Sequence, residues 1–174
     1  MTRIYFTTVV VGLSFGIGLA MCDYQQAKAD PTPIPKRRVE LPGTVRVVDG
    51  DTITVGDQRI RLWGIDAPEL LQTCPDGFRA GKLAAEYLTM MVTGTTVECQ
   101  NMGIDQYSRI IGRCRTNHPT GGDLSSVLVE SGYAWAYRQY SLDYAAIEDE
   151  ARRNRRGIWA HNCQPAWDWR HNKR

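Results

Sequence analysis

Apolar and polar positions alternate with a period of two from Gln58 to Gly64, where Ile60 and Leu62 share one face and Arg59, Arg61 and Trp63 share the other. Thr44–Val48 and Thr52–Val55 are rich in β-branched residues and read as strands. Gly56-Asp57 supplies the turn that folds Thr52–Val55 back onto Gln58–Gly64. From Phe78 to Val92 the period changes, and Ala80, Leu83, Ala84, Tyr87, Leu88 and Met91 recur at helical spacing. Thr95–Cys99 and Arg109–Arg115 return to strand composition around a polar loop. Asp123–Ser131 predicts a short helix, with Asp123 as its N-cap and Gly132 as its stop. Leu142–Arg156 predicts a third helix, whose acids lie mostly ahead of its basic run as the helix dipole favours, and Gly157 ends it.

The order is therefore three strands, a helix, two strands and two helices. Five short antiparallel strands with a helix after the third fit a five-stranded Greek-key barrel of the OB type carrying three helices. Residues 43–163 contain this pattern. Residues 30–42, with Pro31, Pro33, Pro35 and Pro42, read as an extended linker.

The ends of the chain differ from its middle. Arg3 precedes an apolar run from about Val9 to Met21, followed by Ala27-Lys28-Ala29. This is the order of a secretory signal peptide, residues 1–29, with cleavage after Ala29. The apolar run is shorter than the roughly 20 residues a membrane span needs. Export would leave 19 basic and 18 acidic side chains, too even a balance to argue for a polyanionic partner. The distribution says more: between Arg152 and Arg174 seven Lys/Arg face one acid, Asp168, with Trp159, Trp167 and Trp169 among them. Basic residues interleaved with aromatics suit phosphates and bases, but a solvated helix end and a loose tail over 164–174 account for the same composition. The reading is of a periplasmic or secreted protein, with no stable membrane association once the leader is gone.

Export changes the meaning of the cysteines. Cys22 leaves with the leader, and Cys74, Cys99, Cys114 and Cys163 remain. An even number in an oxidising compartment favours disulfides, with three possible connectivities. There is no CxxC, and His118, His161 and His171 are scattered, which argues against a zinc site.

The candidate chemistry lies in carboxylates. Asp49 and Asp51 are two apart on extended chain, and Asp66 and Glu69 follow the next strand. The turn at Gly56-Asp57 can bring Asp51 and Asp66 to one sheet edge. Carboxylates gathered there repel one another unless a cation neutralises them, and hard cations such as calcium take oxygen ligands of this kind. Arg61 on the same strand suits a phosphate, whose oxygens a guanidinium pairs bidentately. A metal, arginines to stabilise developing charge and a carboxylate base together serve phosphodiester hydrolysis. Glu69, just past Pro68, is the candidate base. Each acid taken alone is also ordinary turn or cap chemistry.

The segments "VVDGDTITV", "RIRLWGIDAPE", "DQYSRIIGRC" and "RRGIWA" resemble the staphylococcal (micrococcal) nuclease family, in the family's order and at its approximate spacing, from about Val45 to Trp159. The resemblance implies an OB barrel with three helices and calcium-dependent cleavage of DNA and RNA. It implies Asp51 and Asp66 as direct calcium ligands, the backbone carbonyl of Ala67 as a third, and Asp49 beside the metal. Arg61 and Arg109 match the phosphate-clamping arginines, and Glu69 matches the general base. Tyr107 matches a nucleotide-contacting tyrosine, and Tyr140, with Tyr137 close by, falls near a second aromatic position. The chain departs from the pattern at Ala67, where the best-known member has threonine. It departs also at Gln106, which replaces a lysine, at Ser108, which replaces glycine, and in its cysteines.

A catalytically silent nucleic-acid- or protein-binding domain of the same fold is the alternative reading. Such relatives typically lose the acids and arginines, whereas Asp51, Asp66, Glu69, Arg61 and Arg109 are all present here. The expectation is thus a nuclease acting as a monomer. Cys99 and Cys114 lie on consecutive strands and are expected to pair across their hairpin, which leaves Cys74 to pair with Cys163.

Overall fold

The computed structural model describes residues 38–40, 44–117 and 122–172; the expected leader and most of the linker lie outside these residues. Strands β1 (Arg38–Glu40), β2 (Val45–Val47), β3 (Thr52–Val55), β4 (Gln58–Leu62) and β5 (Ile65–Asp66) precede helix α1 (Ala80–Val92). Strands β6 (Val97–Ile104) and β7 (Ile110–Thr116), helix α2 (Leu124–Glu130) and strand β8 (Trp135–Ala136) follow. Helix α3 (Ala145–Arg153), a 3-10 turn at Gly157–Trp159 and helix α4 (Ala166–Asn172) complete the order.

Pairing gives a six-stranded sheet in the order β1-β6-β7-β4-β3-β2 and a separate two-stranded sheet of β5 with β8. This differs from the five antiparallel strands and three helices expected. Among the described residues the pairing order stays open, with β1 and β2 at its ends. The first additional strand comes from the proline-rich segment, where Arg38–Glu40 pairs with Gln100–Glu98. β4 and β7 are parallel, because the α1–β6 crossover returns the chain in the same direction. The fourth helix, α4, falls in the expected tail, with Asp168 in its first turn and Arg170 and His171 in its last, the arrangement the helix dipole favours.

The β3–β4 hairpin forms at Gly56-Asp57, with Val55 opposite Gln58 and Gly56 at φ +56°, where glycine carries no Cβ penalty. Alternation along β4 is obeyed: Ile60 and Leu62 are buried, while Arg61 and Trp63 stay partly open. These two apolar side chains join Ile53, Leu88, Val97, Leu124 and Leu128 in the main core. Asp123 caps α2, accepting from the Ser125 N–H at 3.0 Å. α3 begins at Ala145 rather than Leu142, because Asp143 is drawn into a turn with Ser141 and bonded by Trp63 and Arg113.

Both expected disulfides are present. Cys99 and Cys114 face each other across β6 and β7 with Cα atoms 4.1 Å apart, and Cys74 and Cys163 are 4.7 Å apart. In the chain-entropy account the shorter loop is worth about 3 kcal/mol and the longer about 4.6 kcal/mol. The longer bridge lies in a second apolar cluster, where Cys74, Ala80, Trp135, Ile158 and Ala166 seat α4.

Candidate active site

The carboxylates and Arg61 meet because of the hairpin register. Thr52 lies opposite Arg61, and the Leu62 N–H donates to the Asp51 carbonyl at 2.8 Å, so Asp51 sits beside the Arg61 side chain. The chain then turns at Gly64, φ +71°, where a Cβ would lie 2.9 Å from the Tyr144 ring. That turn carries Asp66 back to the same place. The guanidinium of Arg61 bridges the two acids, Nη1 donating to Asp51 Oδ1 at 3.0 Å and Nη2 to Asp66 Oδ1 at 2.7 Å. Both acids are shut from solvent, at 4% and 0% exposure.

Asp51 also accepts from the Ala67 N–H and the Thr52 hydroxyl, each at 3.0 Å. Asp49 accepts from the Asp51 N–H at 3.1 Å and so serves the turn. Burial pushes the Asp51 carboxyl above its ordinary value and Asp49 adds to this, while Arg61, the Ala67 N–H and Thr52 only partly offset it. Negative charge confined in a dry place is stabilised by a cation. Here guanidinium groups supply it.

Glu69 is placed by its backbone. Its N–H donates to Gln72 Oε1 at 3.1 Å, and its carbonyl accepts from the Gln72 N–H at 2.6 Å. Gln72 is buried and reaches across the chain to donate to the Gln164 carbonyl at 2.6 Å. The half-exposed Glu69 carboxylate accepts from Arg170 Nη1 at 2.7 Å. Arg170 also donates to Asp66 through Nη1 at 3.1 Å and Nη2 at 2.8 Å. Burial works against the Arg170 charge, but the bonds to Asp66 and Glu69 outweigh it and hold its pKa above the usual arginine value.

The β6–β7 turn brings the second arginine of the family pattern. A bulge at Asn101–Gly103 shifts the register just before it. Asp105 gathers the loop, accepting from the Tyr107 and Arg109 N–H groups at 2.9 Å each and from Arg109 Nε at 2.6 Å. Burial opposes the Asp105 charge, yet these bonds hold its pKa below the ordinary carboxylate value. The Arg109 guanidinium lies 5.4 Å over the Tyr107 ring. Ser108 takes φ +60°, a left-handed conformation that glycine adopts without strain. Tyr140 stacks on Tyr137 with ring centres 5.0 Å apart.

Arg61, Glu69, Arg109, Arg170, Tyr107 and Tyr140 line one cleft of about 530 Å³. Of the sequence-predicted residues, Arg61, Glu69, Arg109, Tyr107 and Tyr140 share the cleft and Asp51 and Asp66 adjoin it through Arg61, whereas Asp49 and Ala67 do not line it. Among the described residues no three His, Cys, Asp or Glu side chains converge as a ready cage. The donors at the centre are oxygens: two buried carboxylates whose charge is already matched by guanidinium groups. Oxygen donors of this kind suit a hard divalent cation that keeps several waters, and such an ion would have to displace the guanidinium groups that now occupy them. Local pattern singles out neither Gln72 nor Arg170, whose bonds span 92 and 104 residues. The basic and aromatic run at the end of the chain was the available signal for Arg170.

Comparison with known proteins adds family context. The model of the staphylococcal nuclease homologue family matches residues 59–161. A protein of Escherichia coli described as an uncharacterized endonuclease is 38% identical over 136 residues, covering 74% of this chain and 84% of that protein. A micrococcal nuclease of Shigella flexneri is 35% identical over 141 residues, covering 72% of this chain and 78% of its own. α4 lies beyond the segment that the family model matches.

Proposed function

Because the chain belongs to the staphylococcal nuclease family and is a nuclease acting on nucleic acid, we propose that it is an exported, calcium-dependent, sugar-nonspecific phosphodiesterase of DNA and RNA. Asp51, Asp66 and the Ala67 carbonyl would hold the calcium ion, with Asp49 adding negative charge beside it. When bound, such an ion would supply Lewis-acid polarisation of the phosphate and neutralise charge that develops there. Few charged ligands give modest affinity, with a Kd of roughly 10⁻⁴–10⁻³ M, which suits a site outside the cell.

The protein's own groups do the rest. Arg61, whose Nη atoms rest on Asp51 and Asp66, would turn its fork to phosphate oxygens once a cation takes those acids, and Arg109, oriented by Asp105, would do so from the same cleft. Glu69 takes a proton from the attacking water as the water oxygen bonds to phosphorus and the opposite P–O bond breaks, the leaving oxygen taking a proton from solvent to become the free hydroxyl. Tyr107 and Tyr140 offer ring faces for bases. With recognition resting on phosphates and stacking, the enzyme reads no sequence. It works as a monomer, in a periplasm or outside the cell, after removal of residues 1–29. The two disulfides fit that oxidising setting.

The observation that supports this most is Arg61 bridging two buried aspartates at a cleft that also holds Glu69 and Arg109. Cleavage of single-stranded DNA by Glu69→Gln and Arg61→Lys, each with calcium binding measured alongside, tests the roles. Glu69→Gln should lose turnover on the order of 10²-fold or more while still binding calcium. Arg61→Lys should also be strongly impaired, because lysine keeps the charge and loses the fork. Unchanged turnover in Glu69→Gln would show that another group is the base.

A further inference from the structure

α4 is a built part of the cleft. Ala166 is fully buried, and Trp167 meets the Trp135 ring edge-on at 6.0 Å. The bridge to Cys74 fixes the chain three residues before the helix. One helical turn after Trp167, on the same face, Arg170 enters the cleft. Its partners are Asp66 and Glu69, the acids that the proposed function gives to a cation and to a proton. A divalent cation on Asp66 and the guanidinium of Arg170 compete for the same oxygens. Arg61 Nη2 and Arg170 Nη1 donate to the same oxygen, Asp66 Oδ1. Two guanidiniums side by side, with a third at Arg109, make a site for a polyanion. Trp167 packs against the second apolar cluster behind the cleft and stands 6.1 Å from the cleft-lining Tyr137 ring, which stacks on Tyr140.

We propose that Arg170 is a third phosphate-contacting guanidinium of the cleft, carried on a helix outside the family-matched segment, with Asp66 and Glu69 as its resting partners. The inference rests on the reading of this cleft as the nucleic-acid site. With Asp66 engaged by a cation, the Arg170 fork would exchange the carboxylate oxygens for those of a backbone phosphate beside the one held by Arg61.

The test is binding of a fluorescent single-stranded oligothymidylate with methylene-phosphonate linkages, which keep one charge each and resist hydrolysis, measured by anisotropy in calcium over a range of salt. Each single-strand phosphate contact contributes about 0.7 to the salt slope. Arg170→Gln should therefore lower the slope by about 0.7 and weaken binding about tenfold at low salt. Arg170→Lys should keep the slope while binding more weakly than the parent, since it retains the charge without the fork. Wild-type affinity and slope in Arg170→Gln would make Arg170 only a counter-ion of the acids, and tighter binding would make it a plug; either overturns the proposal. Arg61→Gln separates the premise from the inference. If the unaltered protein fails to bind, or Arg61→Gln leaves the slope untouched, the reading of the cleft falls and the inference falls with it.

Discussion

Replacing Gly81 by alanine sets two effects of opposite sign against each other. Gly81 is the second residue of α1, and helix propensity there favours alanine by at most about 1 kcal/mol. Against this, a Cβ at Gly81 would lie 1.7 Å from the Glu69 carbonyl oxygen, 2.5 Å from its carbonyl carbon and 2.9 Å from the carbonyl carbon of Leu70. All three are backbone atoms, so no side-chain rotation relieves the overlap. Restoring even 3.0 Å requires the Cβ and the oxygen to part by about 1.3 Å. Either α1 lifts from the cluster that buries Ala80, or the Glu69 carbonyl swings away and loses its 2.6 Å bond from the Gln72 N–H. Overpacking costs about 1–3 kcal/mol and the lost bond about 1 kcal/mol more. The net expectation is a destabilisation of about 2 kcal/mol. The consequence for activity is larger, since misplacing a reacting group by about 1 Å can cost on the order of 100-fold. Urea unfolding and cleavage rates at saturating calcium measure the two effects separately. A Gly81→Ala variant at least as stable as the parent, with unchanged turnover, would refute the reasoning.

Two further outcomes follow from the Asp105–Arg109 loop. Ser108→Gly relieves a left-handed conformation worth about 1–2 kcal/mol and gives back about 0.4–1 kcal/mol of chain entropy, so thermal or urea unfolding should find it about 0.5–1 kcal/mol more stable; a loss of stability would contradict the strain. Because Asp105 titrates below its ordinary value in the folded protein, its contribution is complete above about pH 4 and disappears as pH falls through the folded value. Asp105→Asn should therefore flatten the acid limb of the stability curve, and an NMR titration midpoint for Asp105 at or above 3.8 would contradict this.

What was legible in the sequence was mostly local. Alternation from Gln58 onward put Ile60 and Leu62 inside and left Arg61 facing the cleft. Gly56-Asp57 marked its hairpin, and Asp123 marked its helix cap. The hairpin around the Asp105–Arg109 loop also implied Cys99 with Cys114, and the second bridge followed by elimination. The misreadings share a cause in distance along the chain. The Arg38–Glu40 segment becomes a strand only because β6 offers it an edge, and β6 runs on to Ile104 because β7 pairs with it across a bulge, although Gln100 and Asn101 break the apolar pattern. The parallel β4–β7 contact depends on a crossover, which periodicity does not report. α4 is held by Cys74, Trp135 and Gln72, so its composition alone resembled a loose tail. Arg170 was hidden for the same reason: the acids it binds are about a hundred residues away.

The central claim is that nucleic-acid hydrolysis in this cleft depends on a cation held by Asp51 and Asp66. Cleavage of single-stranded DNA, followed across buffered free calcium and in excess chelator, tests it most directly. Activity should vanish in chelator and return with half-saturation at roughly 10⁻⁴–10⁻³ M calcium. In Asp51→Ala the response should shift to higher calcium and plateau lower. Full cleavage in chelator by the unaltered protein would contradict the account.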